Sequence, residues 1–155
     1  MPSPLEINAS QQLLIALGDP AGIGMEVTLK ALASSTLPAS LQPVLVGCRR
    51  SLMATHARLL QQGHATVADP TRLIVDDQPL EITVQPGKPT TAGAAAGFRW
   101  LTRAVERVQQ GQGRALVTAP IAKHLWHAAG HHYPGQTERL AELAGSRQCS
   151  MLFTA

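Results

Sequence analysis

Residues 13–24, which read LLIALGDPAGIG, decide the fold class of this chain. Leu13–Leu17 is a short continuous apolar run, and such a run is typical of a strand that is covered on both faces. Gly18–Gly24 follows as a turn-rich loop, and Met25–Ala33 then predicts a helix. A buried strand, a glycine-rich turn and a helix in this order predict a βα unit of a parallel sheet. The helix residues expected to face the sheet are Val27, Ala31 and Leu32.

The rest of the chain repeats this alternation. Pro43–Gly47 and Ala115–Thr118 predict two more buried strands, and weaker strand signals cover residues 73–75 and 81–84. Shorter helices are predicted at 52–62, 121–129 and 137–143, and the longest helix at Thr90–Gln110. The chain is therefore predicted to be α/β, with a mainly parallel sheet flanked by helices.

The long helix combines an apolar stripe with a stretch of very small side chains. The stripe, whose members are spaced three or four residues apart, is predicted to face the core. The first half of the helix, Ala92–Gly97, has almost no side-chain bulk. We expect a neighbouring element or another subunit to approach this stretch closely. The stripe consists of Phe98, Leu101, Val105 and Val108.

Composition excludes several classes of protein. Of the 155 residues 45% are apolar and only 15% are charged, against about 25% in average chains, so disorder over the whole length is excluded. The net charge is +3, but the basic residues are scattered and their longest run is Arg49–Arg50. No nucleic-acid partner is therefore expected, while an anionic small molecule is favoured.

Cysteine content and the N-terminus predict a cytoplasmic protein. Cys48 and Cys149 form no CxxC pattern, so neither a disulfide framework nor a zinc knuckle is expected, and Cys149 is predicted to be buried. Residues 1–10 are predicted to form a loose arm without the regions of a signal peptide. No apolar run approaches the roughly 18 residues of a membrane span, so no membrane association is predicted.

Three loops and one histidine cluster carry the candidate chemistry, and each fits two interpretations. Gly18, Asp19, Gly22 and Gly24 either line a ligand or serve only a tight turn. Lys123, near a helix start after Thr118, either meets an anion or is a solvated lysine. In Tyr133–Glu138, Thr137 is a candidate N-cap and Gln136 offers a hydrogen-bond donor and an acceptor. His124 and His127 have a metal-compatible i, i+3 spacing, but no recognised motif completes it, which favours surface histidines.

Taken jointly, these loops resemble one family, the 4-hydroxythreonine-4-phosphate dehydrogenases of pyridoxal phosphate biosynthesis. Gly87–Pro89 and Ala128–Gly130 are also similar to the family, and the resemblance runs from about Leu13 to the end of the chain. It implies two α/β lobes like those of isocitrate and isopropylmalate dehydrogenases, with the active site in the cleft of a homodimer. It also implies NAD-dependent oxidation, with decarboxylation, of 4-phosphooxy-L-threonine. A divalent metal ion (Zn, Mg or Co) held by three histidines would act as a Lewis acid.

The resemblance assigns roles unevenly to this sequence. Gln136 and Thr137 match the family's substrate-binding pair, although Gln136 stands where the family usually has a histidine and so loses the option of a positive charge. The metal histidines, most cofactor contacts and the phosphate-holding basic residues of the family lie beyond the segment that matches Ala155. The resemblance therefore implies that residues 1–155 are the N-terminal portion of a two-lobed dehydrogenase, with no catalytic or metal residue and no activity alone.

Two alternatives stay open at this point. One keeps the fold and changes the substrate to a related phosphorylated hydroxy acid, such as a phospho-threonate. The other is a non-catalytic remnant that binds a ligand or dimerises, with Ala92–Gly97 as the pairing surface.

Overall fold

The computed structural model describes residues 11–34 and 36–154, and these ranges contain four strands, five α-helices and one 3-10 helix. Residues 1–10, predicted to form a loose arm, lie outside the described residues. In chain order the elements are β1 (Gln12–Ala16), α1 (Gly24–Ala33), β2 (Gln42–Gly47), α2 (Arg49–Gln61), the 3-10 helix (Pro70–Arg72), β3 (Ile74–Asp77), α3 (Thr91–Gln109), β4 (Ala115–Thr118), α4 (Lys123–Ala128) and α5 (Gln136–Leu143).

All four strands are parallel, in the spatial order β3-β2-β1-β4. Leu14 of β1 lies opposite Val44 of β2 on one side and Leu116 of β4 on the other. The predicted α/β class with a parallel sheet is confirmed. Strand order runs in one direction from β1 to β3 and then reverses, because α3 carries the chain back to place β4 beside β1. Right-handed crossovers consequently put α3 on the face of the sheet opposite α1 and α2.

The core lies on both faces of the central strands, against α3 on one face and against α1 and α2 on the other. Leu14, Val44 and Leu45 are fully buried, and each such side chain contributes about 2 kcal/mol to the free energy of folding. Trp100 is 1% exposed on α3. The predicted stripe of α3 is confirmed, because its first three members are buried and Val108 packs against them.

The predicted inward face of α1 is wrong for two of its three residues. Val27 is 42% exposed and Ala31 is exposed, while Met25 and Leu29 are buried. The helix begins at Gly24, so residues 25, 28, 29 and 32 form the face turned toward the sheet at helical spacing. Val27 lies outside that face, and Leu32 packs partly buried against the core as expected.

The strand predicted at Ala115–Thr118 is present, but it is not buried as expected. β4 lies at the edge of the described sheet, so Ala115 and Val117 are exposed. An apolar run alone does not distinguish a strand with two neighbours from one with a single neighbour.

The strand predicted at 81–84 does not form. Ile82 and Val84 are half-buried and alternate with exposed neighbours, but no described strand pairs with this segment. Only an isolated bridge between Gln85 and Lys88 follows it. Alternating burial here comes from Ile82 and Val84 packing against the core, not from a sheet.

The expected burial of Cys149 is also wrong. Cys149 is exposed, because residues 144–154 lie outside any helix or strand, so an apolar neighbourhood in sequence did not make a core. The nearby apolar run 150–153 forms no strand, and Leu152 is 88% exposed. Within the described residues, no helix combines the length and apolarity that a membrane crossing needs.

Candidate functional site

The reversal of strand order places a candidate site at the carboxyl ends of β1 and β4. In open parallel sheets, ligands bind outside the carboxyl ends of strands at the point where strand order reverses. The loop after β1 and the loop after β4 meet there, since the Asp19 amide donates a hydrogen bond to the Pro120 carbonyl at 3.1 Å. The Ala119 amide also donates to the carbonyl of Ala16 at 2.9 Å.

Two further segments join the same edge. The side-chain amide Nε2 of Gln136 donates to the Ala119 carbonyl at 3.2 Å, which brings the start of α5 against the β4 loop. The amide of Gly87 donates to the Ala21 carbonyl at 2.8 Å. Four segments that the sequence singled out separately are therefore in contact with one another.

Two glycines of the β1 loop are required by close packing between loops. Gly18 has a φ of +71°, and a Cβ there would lie 2.4 Å from the Pro120 carbonyl oxygen. A Cβ on Gly24 would lie 2.2 Å from the Leu17 carbonyl oxygen. At both glycines, the space that a Cβ would occupy is taken by the chain's own backbone, whereas Gly22 is exposed to solvent.

The small-residue stretch of α3 receives this same loop. A Cβ on Gly97 would lie 2.7 Å from the carbonyl oxygen of Gly18, and one on Gly93 would lie 3.3 Å from Pro20. The expected close approach is thus made within the chain. The buried face of this stretch is covered by the β1 loop, while Ala92 is exposed on its outer side, so pairing with another subunit stays a prediction.

Asp19 carries an unsatisfied acceptor at the junction of the loops. Its side chain is buried, with the residue 4% exposed, and Oδ1 accepts a hydrogen bond from the Ala21 amide at 2.8 Å. The other oxygen, Oδ2, is buried and has no partner among the described residues. A buried carboxylate oxygen without a donor is costly, so this atom calls for a donor from water or a ligand.

The first turn of α5 is open to an anion. Gly135 is the N-cap and supplies no side chain, so the free amides of the first turn have no side-chain cap. Charges of both signs lie alongside, because a Cβ on Gly135 would be 3.6 Å from Nζ of Lys123 and 3.4 Å from a carboxylate oxygen of Glu138. A helix N-terminus beside an ammonium group favours phosphate or carboxylate.

The predicted N-cap role of Thr137 is wrong. The helix begins one residue earlier, at Gln136, so Thr137 lies within its first turn. The Thr137 hydroxyl contacts the Met151 sulfur at 3.9 Å, a weak interaction that leaves the hydroxyl able to bind a stronger partner.

A cluster that sequence reasoning missed fixes α5 against α3. Arg139 is largely buried, its guanidinium lies 4.7 Å from the Phe98 ring centroid, and it donates to the Thr102 hydroxyl at 3.2 Å and to the Tyr133 hydroxyl at 3.1 Å. His131 stacks on Phe98 with ring centroids 3.6 Å apart. Burial, reinforced by the charge of Arg139, holds the pKa of His131 below its usual value. The spacing of apolar residues identifies Phe98 only as a core residue. No local sequence pattern marks its polar partners.

Replacing the central arginine of this cluster tests its role. We expect Arg139→Met to lower the free energy of unfolding by about 1.5 kcal/mol, since it removes the hydrogen bonds to Thr102 and Tyr133 and the ion pair with Glu142 while keeping an apolar stem. The measurement is urea denaturation. Arg99→Met, at an exposed position of the same helix as Phe98, is the control and should change stability by less than about 0.5 kcal/mol. Equal losses in both variants would contradict the positioning role of Arg139.

The described residues do not form a metal site. They contain no group of three or more histidine, cysteine, aspartate or glutamate side chains that could hold an ion. Nε2 of His127 is within 2.8 Å of the Tyr133 carbonyl and its ring meets that of His132 edge-on, so His127 takes part in local packing. Gly18 and Gly24 likewise offer no open cradle for a nucleotide cofactor, because protein atoms fill the space beside them.

The sequence matches a family model described as pyridoxal phosphate biosynthetic protein PdxA over residues 39–155. The chain belongs to the PdxA family. A relative in Synechococcus sp. (strain RCC307), named 4-hydroxythreonine-4-phosphate dehydrogenase, is 58% identical over 144 residues. The match covers 93% of this chain and 43% of that relative, so the chain spans less than half the length of this curated PdxA relative.

Other comparisons agree with this membership. A protein of Pectobacterium atrosepticum named D-threonate 4-phosphate dehydrogenase is 35% identical, over 92% of this chain and 47% of its own length. A solved structure of a 4-hydroxythreonine-4-phosphate dehydrogenase from Burkholderia phymatum superposes with a TM-score of 0.79 at 29% identity, covering 94% of this chain and 47% of that one. Relatives and structural neighbours of this PdxA chain are thus named as dehydrogenases.

Proposed function

We propose that this chain provides the substrate-binding edge of an enzyme that oxidises and decarboxylates 4-phosphooxy-L-threonine for pyridoxal phosphate biosynthesis. The observation that supports this most is the convergence of the loops at residues 18–24, 118–123 and 133–138 on the point where strand order reverses. The names of the relatives supply the reaction class, and the loops supply a place for the substrate.

In this proposal the anionic end of the substrate lies at the start of α5. Lys123 and the free amides of the first turn supply positive potential for a phosphate, against the opposing charge of Glu138 in the same turn. Gln136 already uses Nε2 to hold the Ala119 carbonyl, so its Oε1 remains as an acceptor for a substrate hydroxyl or ammonium. Thr137 contributes a hydroxyl, and Asp19 an acceptor at Oδ2.

The family alone supplies the remaining parts of the proposal. They are NAD as hydride acceptor, a divalent metal ion, a homodimer and a cytoplasmic location. No residue of this chain is assigned to the metal or to the nicotinamide, and the role of this chain's residues is confined to binding and orienting the substrate.

Ligand titration tests the proposed site. We expect 4-phosphooxy-L-threonine to bind the purified chain in calorimetry, and Lys123→Met to weaken that binding about tenfold by removing a charged partner. Lys30→Met, which removes an ammonium paired with Glu26 on α1, is the control and should leave the affinity unchanged. With NAD and a divalent ion added, binding without NADH formation is expected. Equal weakening by both variants, or no binding at all, would contradict the assignment.

A second candidate substrate is D-threonate 4-phosphate, favoured by the 35% identical relative with that name. It carries a hydroxyl where 4-phosphooxy-L-threonine carries an ammonium group, and the uncharged amide of Gln136 accepts from either. The same titration with both compounds distinguishes them, since the tighter ligand identifies the substrate class.

A further inference from the structure

A second groove lies on the other side of the β1 loop and takes no part in the proposed substrate site. It has a volume of about 540 Å³, which is within the range of small-molecule pockets, and it runs between α2 and the segment 81–86. Pro20 and Pro86 close the end that adjoins the β1 loop. The Gly87–Ala21 hydrogen bond fixes the segment in this position.

The groove combines an apolar wall with positive charge. Ala54, Ile82 and Val84 form the wall, and the guanidinium groups of Arg50 and Arg58 lie along α2. The hydroxyl-bearing residues Ser51, Thr55 and Thr83 also line it. Glu81 is the only carboxylate among the lining residues, and Glu26 lies behind Arg58 as a second, more distant counter-charge.

Arg58 retains a hydrogen-bond donor that nothing satisfies. Its Nη1 donates to Gln62 at 3.2 Å and its Nη2 lies 3.5 Å from Glu26. Its Nε is buried and has no partner among the described residues. An anionic group in the groove would offer this guanidinium a charge-assisted acceptor in addition to its long contact with Glu26.

We propose that this groove binds a small organic anion, in which a phosphate or carboxylate faces Arg50 and Arg58 and an apolar body lies on Ala54, Ile82 and Val84. Such a ligand differs from 4-phosphooxy-L-threonine, which is polar along its whole length. The groove is therefore a site separate from the one at α5, and the two are expected to be occupied independently.

Phenyl phosphate and benzoate are suitable probes, because each joins an apolar ring to one of the two anionic groups. Amide chemical shifts of the labelled chain are expected to move in 50–58 and 81–86, with saturation, for at least one probe. The tighter probe identifies the anionic group. Inorganic phosphate is expected to bind more weakly than phenyl phosphate, because it makes no contact with the apolar wall. Equal binding of the two, or shifts elsewhere in the chain, would overturn the proposal.

Two variants locate the binding. Arg58→Gln should weaken binding about tenfold, while Arg99→Gln, at an exposed position of α3, should not. Because Arg58 also contacts Glu26, a second variant fills the groove without removing a contact. Ala54→Phe, on the exposed wall, should abolish binding and leave the thermal midpoint of unfolding unchanged. Unchanged probe affinity in a folded Ala54→Phe protein would overturn the proposal.

Discussion

Gly18→Ala is expected to lower the free energy of unfolding by about 3 kcal/mol, combining a backbone cost with a steric one. At a φ of +71° any residue with a Cβ costs about 1–2 kcal/mol. The new methyl group would also lie 2.4 Å from the Pro120 carbonyl oxygen and 3.1 Å from Ala119. Backbone cannot rotate away as a side chain can, so the β4 loop must move, which adds a further 1–3 kcal/mol.

Gly63→Ala is the matched control for this substitution. Gly63 also has a positive φ, +85°, but a Cβ there would meet nothing within 4 Å. It should therefore show only the backbone cost, about 1 kcal/mol. Urea denaturation at neutral pH measures both variants. The same loss in both would contradict the close packing of the β1 and β4 loops.

Displacement of the β4 loop should also reach the substrate site. The Ala119 carbonyl that accepts from Gln136 belongs to the segment that Gly18→Ala pushes away. A folded Gly18→Ala protein should consequently bind 4-phosphooxy-L-threonine less tightly than a Gly63→Ala protein. Calorimetry under conditions where both are folded separates this effect from stability.

The sequence predicted the positions of helices and strands better than the burial of their side chains. Apolar runs such as Leu13–Leu17 and the stripe of α3 depend on local spacing, which the sequence contains in full. The exposed side of β4 depends instead on which strands lie beside it, and no local pattern encodes that. The failed strand at 81–84 has the same cause, because alternation is equally produced when every second residue of an irregular segment packs against the core.

The candidate site likewise combines loops that local sequence patterns predict with contacts that they do not predict. Its loops were found from their glycines, prolines and helix starts, which are local signals. The contacts that join them, from Asp19 to Pro120 and from Gln136 to Ala119, connect residues 17 to 101 positions apart. The Arg139 cluster and the groove at Arg58 were missed because both bring together elements that are distant in sequence.

Asp76 joins three elements through its carboxylate, and its removal is expected to have the second large effect. Oδ2 accepts hydrogen bonds from Arg103 at 3.1 Å and Arg107 at 3.0 Å on α3, and Oδ1 accepts from Gln78 at 2.8 Å. Arg107 extends the network to Gln12 of β1 at 3.1 Å. The Asp76 side chain is 12% exposed and that of Arg107 is 17% exposed, so this ion pair is largely shielded from water.

Asp76→Asn should lower the free energy of unfolding by about 2 kcal/mol at pH 7, because it leaves the partly buried Arg107 without its counter-charge. Arg103 is 41% exposed and adds little, since water screens it. Glu106→Gln, which removes an exposed carboxylate from α3, is the control and should change stability by less than about 0.5 kcal/mol. Urea denaturation of the three proteins at the same ionic strength provides the comparison.

The effect of Asp76→Asn should depend on pH in a definite direction. Burial raises the pKa of Asp76, but hydrogen bonds from Gln78, Arg103 and Arg107 and the charge of Arg103 outweigh it, so the folded-state pKa lies below the usual value. A carboxyl group whose pKa is depressed by folding stabilises the protein above its unfolded pKa of about 3.9 and loses that contribution as pH falls through the folded value. The difference between the native protein and Asp76→Asn should thus be full at pH 7 and smaller at pH 3. A difference of equal size at both values would show that the charge of Asp76 is not what stabilises the junction of β3 and α3.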